Sequence, residues 1–210
     1  MGQSWEQRRR NKDELWIRVL SQIVVAGNAA PGETLLSSPA VIEKLAFNRL
    51  KKLTPRLRRQ RIHQVLLAIG TRFVGKKTKN HKIDAAVYNF NQLDKAGGPV
   101  RFFADVAAKG DTEGKVKYLS KTLKFYKKKG CRDTLIELRL ADDCIALDQR
   151  LMNILERVGV KLQGSLNQNY EDVERELTKR VAKRNKLSGG QLDRVLFRNY
   201  SDIMVRLRCP

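Results

Sequence analysis

The sequence predicts an all-α fold, and three observations carry that prediction. Apolar residues recur at three- and four-residue spacings along most of the chain, while the period-two alternation of strands is rare. Gly, Pro and Asn punctuate these stretches at short intervals, which implies about nine or ten helices with brief connections. Hydrophobic residues make up 41% of the 210 positions, enough for a packed core.

Glu14 to Ala26 carries Leu15, Val19, Leu20, Ile23 and Val24 as the stripe of a largely buried helix. It stops at Gly27-Asn28, with Pro31-Gly32 as further punctuation. Ser38-Pro39 opens a second helix that runs to about Leu50, with Val41, Ile42, Leu45 and Ala46 inward. Thr54 is an N-cap followed by Pro55 at the first helical position. Beyond it Leu57, Ile62, Val65, Leu66 and Ile69 face inward, and Arg56, Arg58, Arg59 and Arg61 occupy the other sides. Short helices follow over Asp84 to Leu93 and Pro99 to Ala108, divided by Gly97-Gly98. A basic helix from about Gly114 to Tyr126, a turn at Lys128 to Cys131 and a helix from about Arg132 to Leu140 come next. Asp148 opens another helix, with Leu151, Ile154, Leu155 and Val158 on one face. Asn169 to Lys186 carries Tyr170, Val173, Leu177 and Val181, and Gly189-Gly190 separates it from Leu192 to Met204.

The formal net charge is +21, from 43 Lys and Arg against 22 Asp and Glu. An excess of that size points to a polyanionic partner, and nucleic acid is the first choice because phosphate contacts release counterions and supply sequence-independent affinity. A solubilising basic surface and a membrane-surface protein are the competing readings. The charge recurs along the whole chain rather than in one amphipathic segment, which favours nucleic acid. The longest apolar run, around Ile23 to Ala26, is far too short to span a bilayer. No secretory signal is visible after Arg8, Arg9 and Arg10, so the simplest location is the cytoplasm. Cys131, Cys144 and Cys209 lack paired metal spacing, and with His63 and His81 as the only histidines no metal or other cofactor is expected.

The densest functional signal lies between Lys115 and Val158, where the lysine-rich helix and glycine turn lead to Ala146-Leu147-Asp148-Gln149-Arg150. Many helices, then Lys128-Lys129-Gly130-Cys131-Arg132-Asp133-Thr134-Leu135-Ile136, then Ile145 to Arg150 with an Asp at a helix start, resemble the helix-hairpin-helix DNA glycosylase superfamily. Leu15 to Asn28 looks like the family's early helix. Tyr170 to Glu174 and Leu192 to Phe197 are similar to the C-terminal part of its compact archaeal-type 8-oxoguanine members. The resemblance implies a two-lobed fold without an iron–sulfur cluster and with the active site between the lobes. Residues 33–148 would form a central lobe ending in the hairpin, and residues 1–32 plus 149–210 a second lobe. The implied partner is double-stranded DNA containing a modified base, bound by a monomer that associates with the nucleoid.

The resemblance also implies roles. Breaking an N-glycosidic bond builds positive charge on the sugar, which the Asp148 carboxylate would stabilise. The same geometry serves a plain N-cap, which is the competing reading of an Asp before a helix, and the family context favours the catalytic one. Lys129, with eighteen residues between it and Asp148, matches the spacing of a Schiff-base lysine, and Lys127 and Lys128 beside it would favour its neutral, nucleophilic form. A lysine in a triple-lysine run is, however, usually a solvated phosphate contact. If the alignment shifts by one, Gly130 takes its place and the enzyme is monofunctional, with Asp148 activating water. Lys127, Lys128, Gly130, Arg132 and Arg150 are expected to bind the phosphate backbone. Asn28 reads both as a helix C-cap and as the wedge that fills the gap left by an extruded base, and the two readings are compatible. Trp16, Tyr170 and Asp172 are expected to line the base pocket, with Phe73, Tyr88 and Phe197 as further aromatic candidates. His63 is given no role. The chain ends Arg206-Leu207-Arg208-Cys209-Pro210, where the 8-oxoguanine members carry a lysine carboxyl end. An oxidised purine is the leading substrate, with a deaminated, alkylated or otherwise modified base, or non-catalytic binding of DNA or RNA, as alternatives.

Overall fold

A computed structural model describes residues 11–72, 74, 81–160 and 166–207. Trp5, the basic head from Gln7 to Arg10, Phe73 and Cys209 lie outside them. Every regular element among the described residues is helical, and none is long and apolar enough to cross a membrane. Two compact units divide the chain, Met1–Tyr126 and Lys127–Pro210.

The first unit contains α1 (Lys12–Val24), α2 (Ala30–Ser37), α3 (Pro39–Leu45), α4 (Phe47–Lys51), α5 (Pro55–Ala68), α6 (His81–Lys95), α7 (Pro99–Ala107) and α8 (Thr112–Thr122). The apolar stripe of α1 makes it the centre: Leu15, Trp16, Val19, Leu20, Ile23 and Val24 are all fully buried, against α2, α6 and α7. The first helix thus packs within this unit, which differs from the expected division that joined residues 1–32 to the C-terminal lobe. Asn11 caps α1 through the Asp13 and Glu14 N–H groups. The Asp13 carboxylate accepts the Phe47 N–H at 2.7 Å and so ties the start of α1 to the start of α4.

Local chemistry explains where the elements depart from the expected ones. The helix from Ser38 to Leu50 is two, broken at Ala46, whose ψ of 132° interrupts the ladder. Pro31-Gly32 is not a break but the first turn of α2. A Cβ at Gly32 would stand 2.3 Å from Val25 Cγ1, so the glycine is there for close approach. On α5 the apolar pattern misplaces two residues. Leu57 is exposed, while Arg58 is buried. The Arg58 guanidinium donates to the Leu50 and Leu53 carbonyls and to Asn91, and lies 4.3 Å from the centre of the Phe90 ring. Four partners offset its desolvation.

The second unit holds α9 (Lys128–Glu137), α10 (Gln149–Arg157), α11 (Leu166–Leu177), a π turn and 3₁₀ turn over Thr178–Asn185, α12 (Gly189–Arg198) and α13 (Tyr200–Arg206). Its core joins Ile145, Leu147, Leu151, Leu155, Tyr170, Val173, Leu177, Ala182 and Leu192. The expected glycine turn at Lys128 to Cys131 is instead the first turn of α9. The turn lies earlier, over residues 124–125, where Phe125 takes the left-handed conformation at φ 66°. Gly189 and Gly190 lie inside α12 rather than before it, and the Gly190 N–H donates to the Asp142 carbonyl at 3.0 Å. A Cβ on Gly189 would lie 2.9 Å from the Cys144 carbonyl oxygen, and one on Gly190 2.7 Å from Asp142 Oδ1.

Candidate active site

Asp148 begins α10 as predicted. Its backbone is extended (φ −112°, ψ 179°), and its Oδ1 accepts the Leu151 N–H at 3.0 Å, which fixes the carboxylate at the head of the helix. The strand-like approach to it is held from three sides. The Ile145 N–H donates to Glu174 Oε1 at 2.9 Å, the Ala146 N–H to Asp193 Oδ1 at 2.9 Å, and the Leu147 N–H to the Tyr170 hydroxyl at 2.8 Å. The same hydroxyl donates to the Ile145 carbonyl at 3.1 Å. A loop with no ladder partner is thereby supplied with side-chain acceptors from α11 and α12, which leaves Asp148 little freedom.

Behind this loop sits a buried ion pair. Arg132, 2% exposed, forms a two-pronged contact with Glu174 at 2.7–2.8 Å, and its guanidinium stacks 4.7 Å from the Tyr170 ring centre. Arg132 is therefore a scaffold residue, which corrects its expected role as a phosphate contact: a cation closed off from solvent cannot reach a DNA backbone. Burial pushes the Tyr170 phenol up, keeping it protonated and able to donate.

A cleft opens beside Asp148. Lys129 and Asp133 of α9, Ala146, Asp148, Arg150 and Leu151, and Asp193, Leu196 and Phe197 of α12 line it. All of them belong to the second unit. Lys129 and Asp148, distant in sequence, therefore face one cavity. The Lys129 Nζ donates to Asp133 Oδ2 at 2.8 Å. Burial pulls the ammonium down, but the charges of Asp133, Asp148 and Asp193 outweigh it and hold the group above its usual range. The lysine is thus a protonated cation at rest, which corrects the expectation that its lysine neighbours would neutralise it. Lys128 points away to Glu171 at 2.7 Å, and Lys127 is exposed at the N-cap of α9.

Asp193 escaped the sequence reading as a site residue, although the Leu192 to Phe197 stretch carried part of the resemblance. Burial, then the nearby charges of Asp133 and Asp148, push it up to about 6 against the opposing effects of the Ala146 N–H and Lys129. Phe197 gives the cleft an aromatic wall and is 54% exposed. The Arg150 guanidinium lies over that ring at 4.5 Å and 6.0 Å from the Tyr200 ring centre.

The remaining candidates lie elsewhere. Trp16 is fully buried in the first unit, its indole N–H donating to the Leu45 carbonyl at 2.9 Å, edge-on to Phe47 and Phe90. No face is left for a base. Asp172 is exposed and pairs with Arg175, outside the cleft. Tyr170 supports the loop from behind instead of facing the cavity, and Gly130 is buried within α9. Tyr88 faces Lys124, whose ammonium is 4.5 Å from its ring centre. Asn28 is exposed after α1 and accepts the Ala30 N–H at 3.2 Å, next to Gly27 at φ 89°. Lys82 donates to the Val24 and Ala26 carbonyls and Arg72 to that of Gly27, so two cations cap the end of α1 where Asn28 sits.

No protein-family profile and no curated protein matches the chain in sequence. Among solved structures it is similar to the 8-oxoguanine DNA glycosylase of Thermotoga maritima, at 19% identity and a TM-score of 0.62, over 90% of this chain and 85% of that one. It is also similar to the 8-oxoguanine DNA glycosylase of Methanocaldococcus jannaschii, at 15% identity and a TM-score of 0.63, over 90% and 79%. The likeness is one of fold: the chain has the all-α helix-hairpin-helix architecture of these glycosylases.

Proposed function

We propose that the protein is a DNA glycosylase that extrudes a modified base from a duplex and cleaves its N-glycosidic bond. The observation that carries this reading is the convergence of Lys129 and Asp148 on one cleft with an aromatic wall. A duplex hides the glycosidic bond, so the nucleotide must leave the stack and seat its base in a pocket. The Phe197 ring offers the extruded base a face once Arg150 swings away to a phosphate. As the bond breaks, positive charge grows on the sugar, and the fixed Asp148 carboxylate stabilises it. The two structural neighbours, both named as 8-oxoguanine DNA glycosylases, support an oxidised purine as the substrate.

In the bifunctional form of this reaction Lys129 gives its proton to the Asp133 carboxylate already bonded to it. The amine then attacks the sugar carbon as the base leaves with the bonding electron pair. The aminal so formed opens its bond to the sugar-ring oxygen, which takes up the proton shed by the lysine nitrogen, and the resulting Schiff base allows strand cleavage. One observation favours a monofunctional second reading. Three carboxylates hold the Lys129 ammonium above its usual range, so the lysine would serve as a fixed cation while Asp148 activates water.

The test incubates the protein with duplexes carrying single modified bases, with and without borohydride. Base release with a trapped adduct, the adduct lost in Lys129→Gln and both lost in Asp148→Asn, is the expected result. Release without an adduct selects the monofunctional reading. Binding without release from any duplex overturns the catalytic proposal.

A further inference from the structure

From Lys44 to Ile83 the chain carries thirteen Lys and Arg residues and no Asp or Glu, more than half of its net +21. Several of these cations work inside the fold. Arg58 and Lys82 are buried on carbonyls, and Arg72 donates to Gly27. The acids at the margins take three more: Glu43 pairs with Arg49, Asp94 with Lys51 and Asp84 with Arg59. In the middle, Lys52, Arg56 and Arg61 are exposed and have no ion pair among the described residues. They lie on the outer side of α5 and the loop before it, interspersed with exposed Thr54, Gln60 and Gln64.

Ordinary soluble surfaces intersperse the two signs of charge. Among the described residues the flanking acids Glu43, Asp84 and Asp94 are engaged at the edge, and the helix face keeps a positive potential. Arg56, Gln60 and Gln64 recur in four-residue steps, which set side chains about 6 Å apart along a helix. Cations with neutral hydrogen-bond donors between them suit phosphate oxygens.

We propose that the outer face of α5, with Lys52, Arg56 and Arg61 as its charges, is a second DNA-binding surface that grips the duplex backbone and is separate from the cleft at Asp148. It shares with the proposed function the premise that the partner is DNA, but not the premise that chemistry follows. The face supplies affinity without sequence reading, because each neutralised phosphate releases condensed counterions.

The test measures binding of the full chain to an unmodified duplex across a range of salt. Wild type is compared with a Lys52→Ala/Arg56→Ala/Arg61→Ala variant and a charge-keeping Arg56→Lys/Arg61→Lys variant. The plot of log affinity against log salt should become shallower by about 2 to 3 in the alanine variant, one contact's worth for each lost cation. The lysine variant should keep the wild-type slope. Single-turnover base release from a modified duplex at saturating protein should be equal in all three. An unchanged slope in the alanine variant overturns the proposal. So does a loss confined to single-stranded RNA with duplex binding intact, which would assign the face to another polyanion. If no protein releases any base while the slopes differ as expected, the surface stands and the glycosylase reading falls.

Discussion

The Asp193 carboxylate on α12 accepts the N–H of Ala146, two residues before Asp148, at 2.9 Å. This contact makes an ionisable group of the cleft part of the scaffold that aims another. Together with Glu174 and Tyr170 it accounts for three consecutive N–H groups of the approach loop, so loop geometry and site electrostatics are coupled.

That coupling gives stability a pH dependence. In the folded protein Asp193 is pushed up to about 6, above the ordinary value of about 3.9 in an unfolded chain. The folded state therefore holds the proton more tightly, and this contribution to stability is full below about pH 4 and is lost as pH rises through about 6. Asp193→Asn, whose amide oxygen can still accept the Ala146 N–H, lacks the loss. Its melting temperature relative to wild type should climb between these pH values and then level off, as thermal denaturation at a series of pH values would report.

Asp148→Asn separates the cap from the chemistry. Asn caps helices about as well as Asp, so urea denaturation should move by no more than about 0.5 kcal/mol. Base release should fall by about 100-fold or more, the scale of losing one preorganised electrostatic group. A variant that unfolds readily would mean that Asp148 is chiefly structural.

Glu174→Ala leaves the Arg132 charge buried and the Ile145 N–H without its acceptor. Removing one partner of a buried pair costs about 3 to 5 kcal/mol. Arg132→Met/Glu174→Leu should recover much of that loss in chemical denaturation, because an apolar pair leaves no isolated charge. Catalysis should not recover, since the Ile145 N–H still lacks its carboxylate.

Tyr170→Phe deletes one hydroxyl that both accepts from Leu147 and donates to Ile145. A stability loss of about 1 to 2 kcal/mol is expected. Single-turnover base release should slow while affinity for an unmodified duplex stays constant. Equal weakening of both would show that the hydroxyl serves folding alone.

Much of the fold was legible because helical stripes and caps are local. Thr54 and Asp148 announce their helices through side chains that bond N–H groups three residues on. The breaks at Ala46 and Asn199 were not legible, since neither Pro nor Gly marks them. Glycines misled in the other direction: at Gly32, Gly189 and Gly190 the missing side chain answers a through-space neighbour rather than a turn. The same division holds in the site. The family resemblance singles out Lys129 and Asp148, but Asp133 and Asp193 gain their meaning only once α9 and α12 meet across the cleft. Arg132 and Trp16 were misassigned because a cation in a basic run and an aromatic on a helix look alike whether buried or exposed.

The two glycines that open α12 bear on how this site can change over evolution. With only hydrogen atoms facing Cys144 and Asp142, that helix seats as close to the loop as backbones allow, and it brings Asp193 and Phe197 with it. A methyl group at Gly189 would press on the Cys144 backbone, lever the helix outward and move both walls at once, whereas one at Gly190 would meet chiefly the tip of the Asp142 side chain. The cleft's calibre is set at a hinge of bare backbone, so selection could widen it for a bulkier base by altering a residue that never touches the substrate.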